Sequence, residues 1–171
     1  MTLSPRIVAT PAGALTLRPE QPDDAAFLRR LFVANNAGAL RDAGIAGPLA
    51  DNLLALQLRS QTDTYRRQFP DAEFLIIEHG GEAIGRWIAD DEGDAVLIVD
   101  FALLPEGQSR GFGAALMGAM MSNAVAIGKA LRATVLASNL PSLRMCLRIG
   151  MRVVDEDEVY VHLRGPLRNQ H

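Results

Sequence analysis

The sequence predicts an α/β domain of the α+β kind, with one mixed central sheet and helices on both of its faces. Helical and strand periodicities alternate along the 171 residues without an internal repeat or a linker rich in proline, glycine or serine. An apolar run that favours a strand, at residues 96–104, is followed by a glycine-bearing loop and then a helical pattern. With 49% hydrophobic residues the chain can bury a core, so we expect a single domain over residues 1–171.

The first half of the chain is predicted to contain two short strands and then two helices. The predicted elements are strands at residues 7–10 and 14–18, a helix from Pro22 to about residue 36 and a second helix at residues 49–68. Pro22 and Asp23 favour a helix start because proline fits the first turn and acidic residues complement the helix dipole. The connection at residues 37–48 carries three glycines and one proline and is predicted to be a flexible loop.

The second half is predicted to alternate strands with helices. The predicted elements are strands at residues 73–78, 83–89 and 96–104, a helix at 114–128, a strand at 131–136, a helix at 142–149 and strands at 152–154 and 159–163. Residues 79–82 join the first two of these strands as a hairpin, and residues 90–94 form an acidic turn. Pro105 ends the strand at 96–104 because it has no N–H for the sheet ladder.

Composition and charge exclude several classes of protein. The net charge is −3 and no basic cluster occurs, so the sequence lacks the charge pattern of a nucleic-acid-binding protein. No apolar run is long enough to cross a membrane, and the first residues lack the hydrophobic region of a signal peptide. Cys146 is the single cysteine, which excludes an internal disulfide and fits a reducing compartment. We therefore expect a cytoplasmic protein that binds neither nucleic acid nor membrane.

Residues 106–113, which precede the predicted helix at 114–128, have the properties of an anion site. The free N–H groups at a helix start point outward, and the helix dipole favours negative charge there. Gly111 and Gly113 let a phosphate approach the backbone closely, and Arg110 adds a positive charge. This pattern is neither of two common phosphate loops: a third glycine of the dinucleotide type is missing, and no Lys-Ser or Lys-Thr pair occurs in the chain.

The pattern Gln108-x-x-Gly111-x-Gly113, after an apolar strand and Leu-Leu-Pro-Glu, resembles the pyrophosphate loop of the GNAT superfamily of acyl-CoA-dependent N-acetyltransferases. The predicted order of elements is similar to that of the family over nearly the whole chain. The resemblance implies acetyl-CoA as cosubstrate, with no metal. Backbone groups near the strand end would hold the pantetheine arm, the strand would separate there from the strand at 131–136, and the amides of the loop would bind the pyrophosphate. The implied cofactor-binding residues in these two segments are Ala102, Leu103, Leu104, Gln108, Ser109, Arg110, Gly111, Phe112, Gly113 and Ala114.

A second segment, at residues 139–151, is similar to the family pattern Asn-x-x-Ala-x-x-x-Tyr-x-x-x-Gly-Phe. The resemblance implies that Asn139 caps the following helix beside the pantetheine arm, with Ser142 next to the cofactor. Cys146 stands where the family often has the tyrosine that returns a proton to the thiolate leaving group. A thiol can also donate a proton, but it is shorter than a phenol, and a small buried side chain at this position is the alternative interpretation.

The residue that accepts the proton of the amine is a second open question. Some relatives place a glutamate at the position of Leu97, so Asp100 is the remaining carboxylate of the strand. It is either the proton acceptor or a partner of a neighbouring loop, and the sequence supports both interpretations equally.

The function that the resemblance implies is transfer of an acetyl group from acetyl-CoA to a primary amine by direct attack, without a covalent enzyme intermediate. The acceptor is a small molecule or a peptide, and residues 36–68 are expected to select it. The alternative function is a weakly catalytic domain that binds acyl-CoA as a sensor or interaction module, because the usual tyrosine and glutamate are absent. The exposed edges of such a sheet also make a homodimer possible.

Overall fold

The computed structural model describes residues 2–108 and 110–166. Its strands are β1 (Ile7–Val8), β2 (Leu15–Pro19), β3 (Glu73–His79), β4 (Glu82–Asp91), β5 (Ala95–Leu103), β6 (Ala130–Leu136), β7 (Arg152–Glu156) and β8 (Tyr160–Gly165). Its helices are α1 (Ala25–Asp42), which follows a 3₁₀ turn at Pro22–Asp24, α2 (Gly47–Gln68), α3 (Pro105–Gln108), α4 (Phe112–Ala126) and α5 (Leu140–Arg148). The predicted mixed sheet with helices on both faces is confirmed.

The eight strands form one sheet in the order β1-β2-β3-β4-β5-β6-β8-β7. Every neighbouring pair is antiparallel except β5 and β6, which are parallel. The parallel pairing runs only from Ala95 and Ala130 to Ile98 and Ala133, although both strands continue beyond these residues. The register between β4 and β5 shifts at the same level, between Ile88 and Ala89. Such an irregularity bends a strand, so β5 leaves β6 there and a gap opens between them.

The two faces of the sheet are covered by different helices. One face carries Trp87, Leu103 and Leu131, which form the main core together with apolar residues of α4. The core residues that α4 contributes are Phe112, Leu116, Met117, Met120 and Ala124. The opposite face carries Arg86, whose guanidinium donates a hydrogen bond to Gln61 of α2. The helices therefore enclose the central part of the sheet from both sides.

Two predicted loops are more helical than the sequence indicated. The predicted loop at residues 37–48 is reduced to residues 43–46, because α1 continues to Asp42 and α2 begins at Gly47. Ala39, Leu40 and Arg41 are good helix formers, and Pro48 lies in the first turn of α2, where its missing N–H costs nothing. The predicted loop at 106–113 likewise contains most of the short helix α3. This helix begins at Pro105, because a proline in the first turn loses no hydrogen bond.

Among the described residues, no helix combines the length and hydropathy that crossing a bilayer requires. The same residues contain no group of three or more histidine, cysteine, aspartate or glutamate side chains placed to hold a metal ion.

Candidate active site

The start of α4 is open to solvent and has the geometry expected of an anion site. Gly111 precedes the helix with a φ of 77°, a left-handed conformation that glycine adopts without strain. A Cβ built on Gly111 would meet no atom within 4 Å, so a ligand can reach the backbone there. The amide of Ala115 donates to the carbonyl of Gly111, and among the described residues no side chain caps the helix. The amides that precede Ala115 are consequently available to an anion.

The residues around this helix start divide into anchors and exposed groups. Phe112 is fully buried, and its ring packs 4.9 Å from the ring of His79, so its side chain anchors the loop in the core. The guanidinium of Arg110 lies 4.8 Å from the centre of the Phe112 ring, which holds a positive charge beside the helix start. Ala114 is exposed. The backbone at Gly113 is more closely packed, because a Cβ there would lie 3.3 Å from the sulfur of Met145. Ser109 lies outside the described residues.

The backbone of Leu103 faces the gap between β5 and β6. The amide of Leu104 donates to the carbonyl of Ile84 on β4, at 2.8 Å. Because backbone groups of successive strand residues alternate in direction, those of Ala102 also face β4, and those of Leu103 face the opposite side. Of the two amides at this strand end, that of Leu104 is therefore bonded to β4, and that of Leu103 faces the gap.

The carbonyl of Leu103 is itself hydrogen-bonded by two side-chain amides. Gln108 donates through Nε2 at 3.0 Å, and Asn35 of α1 donates through Nδ2 at 3.2 Å. Gln108 Nε2 also donates to Oδ1 of Asn35, at 3.2 Å. The side chain of Gln108 is thus turned back toward the strand rather than toward the start of α4.

Asp100 is ion-paired on the face of the sheet that α2 covers. Arg86 donates to Oδ2 of Asp100 from Nε at 2.8 Å, and its Nη2 lies 2.7 Å from the same oxygen in an ion pair. Arg86 also donates to Oε1 of Gln61 at 2.8 Å, and its guanidinium carbon lies 6.0 Å from the ring centre of Tyr65. Burial raises the pKa of Tyr65, and the Asp100 carboxylate raises it further, while Arg86 acts in the opposite direction. Among the described residues, Oδ1 of Asp100 has no hydrogen-bond partner, so it can accept a proton or a hydrogen bond.

The strands beyond the gap continue this face of the sheet. Thr134 pairs with His162, and Leu136 pairs with Tyr160, so each pair shares one face. Thr134 Oγ1 and His162 Nδ1 lie 3.0 Å apart, and Tyr160 is 43% exposed. Along α2, a shallow groove of about 480 Å³ is lined by Leu56, Gln57, Ser60, Gln61, Thr64 and Tyr65. Gln61 and Tyr65 connect this groove to the Arg86–Asp100 pair.

The second predicted motif forms the start of α5. Asn139 is the residue before the helix, and its Oδ1 accepts the amide of Ser142 at 3.3 Å, which confirms the predicted cap. Cys146, one turn further along, is 3% exposed and belongs to the main core. Burial raises the pKa of its thiol. These observations favour a packing role for Cys146, and its proposed role as proton donor stays a prediction.

The structure therefore places Gly111, Phe112, Gly113 and Ala114 at the start of α4 and Leu103 beside the gap, whereas the backbone groups of Ala102 and Leu104 face β4 instead. Its principal additions to the predicted set are Asn35, Gln61, Tyr65 and Arg86. The sequence offered one weak signal for Asn35, because asparagine inside a helix often makes a side-chain contact with the backbone. It offered no signal for Gln61 and Tyr65, since their partner Arg86 is distant in sequence.

Comparisons with known proteins concern the family and the fold of the chain. Residues 49–151 match the sequence model of the Acetyltransferase (GNAT) family, whereas no curated protein matches the chain. PaiA N-acetyltransferase from Thermoplasma acidophilum in complex with coenzyme A has a TM-score of 0.66 at 17% identity, over 88% of this chain and 97% of that one. The GNAT domain of S. lividans PAT has a TM-score of 0.62 at 21% identity, over 91% and 92%. YncA from Salmonella typhimurium, solved with acetyl-CoA, has a TM-score of 0.52 at 19% identity, over 92% and 95%.

Proposed function

Because the chain belongs to the GNAT acetyltransferase family, we propose that this acyltransferase moves an acetyl group from acetyl-CoA to a primary amine by direct attack. The observation that carries the proposal is the juxtaposition of two features. The exposed start of α4 provides an anion site, and close to it in the chain the Leu103 backbone faces the gap between β5 and β6. A pyrophosphate and an extended arm that ends in a thioester need these two features together.

The residues present fit acetyl-CoA. The free amides at the start of α4 and the charge of Arg110 suit the pyrophosphate, and the open space above Gly111 admits it. The gap admits an extended arm beside β5, and the amide of Leu103 is directed toward it. Asn139 and Ser142 lie at the start of α5 and complete the proposed set on the other side of the gap.

In the reaction the amine nitrogen attacks the thioester carbon, so a C–N bond forms and the C–S bond breaks. The amide of Leu103 would stabilise the negative charge that develops on the carbonyl oxygen. The amine loses a proton, for which Oδ1 of Asp100 is the proposed acceptor, and the CoA thiolate gains one. The family pattern puts Cys146 where a proton donor to the thiolate would stand, but its burial favours a packing role, so solvent is the simpler proton source.

The acceptor amine is proposed to lie on the face of the sheet that carries Asp100. There Gln61 and Tyr65 of the α2 groove contact Arg86, and Thr134, Leu136 and Tyr160 are exposed positions of the same sheet face. The groove is lined by neutral side chains, and Arg86 is already paired with Asp100. These features support an acceptor with an uncharged body and a single amine, either a small molecule or a peptide N-terminus.

The test has two stages. Thermal unfolding is measured with acetyl-CoA, with CoA and with neither; a ligand at about 100 times its Kd stabilises by about 2.7 kcal/mol. Release of free thiol is then measured against a panel of amines, with wild-type protein and with Asp100→Asn. We expect a clear thermal shift, amine-dependent thiol release, and a loss of about 10²-fold or more in turnover for the variant with unchanged cofactor affinity.

The outcomes separate this proposal from its alternative. A thermal shift without thiol release for any amine would favour an acyl-CoA sensor or interaction module, which the absence of the family tyrosine at Cys146 first suggested. Absence of a shift at millimolar acetyl-CoA would overturn both functions.

A further inference from the structure

Thr134 is the first residue of β6 beyond the parallel pairing, which ends at Ile98 and Ala133. Ala133 belongs to the main core, and side chains alternate along a strand, so Thr134 lies on the opposite face. This is the face that carries Asp100, and Thr134 is exposed on it. An exposed hydroxyl therefore stands at the point where β5 and β6 separate, on the β6 side of the gap.

The hydroxyl of Thr134 contacts a histidine of the next strand. Oγ1 lies 3.0 Å from Nδ1 of His162, and the two residues are direct partners in the register of β6 and β8. On its other side, His162 is the register partner of Asp155 of β7. A hydroxyl, an imidazole and a carboxylate-bearing residue thus follow one another across three neighbouring strands, starting at the gap. An imidazole can hold or release a proton near neutral pH, and a hydroxyl can pass it on.

Two carboxylates lie on the side of His162 that faces away from the gap. Asp155 is its partner on β7, and Asp157 lies in the turn between β7 and β8. Hydrogen bonds from the amides of Tyr160 and Val159 lower the pKa of Asp157, and the charge of His162 lowers it further. Tyr160, two residues before His162, is the neighbouring titratable side chain on the same face of β8.

The nearest cations form the next row of the register on this face. They are Arg132 of β6, Arg164 of β8 and Arg152 of β7. Arg132 and Arg164 are each paired with a carboxylate of the turn between β4 and β5, which offsets their positive charge. His162 can therefore carry a proton beside Asp155 and Asp157 without an excess of positive charge around it.

From this row, and resting on the proposed function, we propose that Thr134 donates the proton that the CoA sulfur takes up, with His162 acting behind it. As the C–S bond breaks, Oγ1 of Thr134 gives its proton to the sulfur and takes one from Nδ1 of His162. The ring of His162 is only half-buried, so it regains its proton from solvent. Asp100 receives the proton of the amine on the β5 side, so the two transfers take place on opposite sides of the gap.

Four substitutions separate this role from a structural one. Thr134→Val removes the hydroxyl at nearly constant shape, and Thr134→Ser keeps it. His162→Asn keeps a hydrogen-bonding group near the position of Nδ1 but cannot titrate. Thr16→Val is the matched control, because Thr16 is an exposed threonine of β2, which β3 and β4 separate from β5.

The first experiment needs no amine. Protein labelled with ¹⁵N-histidine is titrated with CoA and with desulfo-CoA, which lacks the sulfur, and the ring nitrogens of His162 are followed. Their resonances are identified by their absence from His162→Asn. We expect them to shift further with CoA than with desulfo-CoA in wild type, in Thr134→Ser and in Thr16→Val. This difference should be lost in Thr134→Val.

The second experiment varies the leaving group. Acetyl transfer to the best amine of the panel is measured with acetyl-CoA and with its selenoester analogue, whose selenolate needs no proton to leave. We expect Thr134→Val to lower kcat about tenfold with acetyl-CoA and within about twofold with the selenoester. With acetyl-CoA, kcat of wild type should fall at alkaline pH as the imidazole loses its proton, and His162→Asn should not show this fall.

The possible failures are distinguishable. If CoA raises the Tm of wild type by nothing and shifts no histidine, the proposed function fails. If CoA binds but His162 responds equally to CoA and desulfo-CoA, or if Thr134→Val behaves like Thr16→Val, the role of Thr134 is overturned. Equal losses with the thioester and the selenoester would show that Thr134 only joins β6 to β8, and would also overturn it. An alkaline fall that persists in His162→Asn removes His162 from the proposal.

Discussion

Asp24 is one of three buried polar residues in the described part of the chain, together with Ser4 and Arg86, and each has a partner. Asp24 Oδ1 and Oδ2 accept from Arg18 Nη2 and Nη1 at 2.7 Å and 2.8 Å, and Oδ2 also accepts the amide of Gln21. Arg18 donates from Nε to Glu78 as well, so one guanidinium ties the start of α1 to β3. Burial of these groups is tolerable because their hydrogen bonds are satisfied.

The Arg18 side chain holds the pKa of Asp24 below its ordinary value. Since the folded pKa is depressed, the stabilisation is present above the unfolded pKa near 4 and is lost as the pH falls through the folded pKa. Asp24→Asn should therefore lower the free energy of unfolding by about 2 kcal/mol at pH 7, with a smaller deficit below pH 4. Urea unfolding at both pH values measures this. Asp94→Asn is the control, because the Asp94–Arg164 pair is exposed and should contribute little. Equal effects of the two substitutions would contradict the prediction.

Cys146 allows a second prediction at the scale of one residue. Because its thiol is buried and burial raises its pKa, a thiol reagent should react slowly with the native protein and fully in 8 M urea. Cys146→Ala should cost about 1 kcal/mol of stability through lost packing, with turnover kept within about threefold. A loss of 10²-fold in turnover at unchanged acetyl-CoA affinity would instead identify the thiol as a proton donor.

At the scale of elements, the loop before α4 joins a strand end to a helix start, and its chemistry depends on Gly111. Asparagine and aspartate tolerate a positive φ better than other side chains and have nearly the same shape. Gly111→Asn and Gly111→Asp should therefore lose similar stability, but the aspartate places a negative charge at the anion site. We expect acetyl-CoA to bind about tenfold more weakly to the aspartate variant than to the asparagine variant, measured by calorimetry. Equal Kd values in the two variants would remove this loop from the proposed binding site.

Most elements could be predicted because their signals are local. The strand at β5 and the helix at α4 follow from an apolar run, Pro105 and the glycines that separate them. Helix ends were harder, since Gly38 indicated a loop although the good helix formers after it carry α1 to Asp42. The gap between β5 and β6 was expected only from the family resemblance, because where parallel strands separate depends on contacts between distant residues. The hydrogen-bond network of Arg86, Asp100 and Gln61 could not be predicted from the sequence for the same reason.

At the scale of the whole molecule, charge pairs link turns to neighbouring strands. Three acidic residues of the predicted acidic turn form such pairs: Glu92 with Arg132 at 2.5 Å, Asp94 with Arg164 at 2.6 Å, and Asp91, which lies at the end of β4, with Lys129. Basic residues of β6, of β8 and of the turn before β6 therefore balance this local excess of negative charge. The edge strands of the sheet are β1 and β7, and a homodimer through one of them stays a prediction.

The single domain that the sequence predicts would unfold as one unit, with the sheet and both helical layers lost together. Trp87 is the one tryptophan of the sequence and is fully buried, where Nε1 donates to Ser4 Oγ at 3.1 Å and the ring packs against Phe101. Its fluorescence therefore reports the centre of the sheet, while far-UV circular dichroism reports mainly the helices. We expect the two urea transitions to coincide, and saturating acetyl-CoA to raise both midpoints equally. An earlier loss of the helical signal would show that α1 and α2 unfold separately from the sheet, and a midpoint shift confined to one signal would place the ligand on only one of these two units.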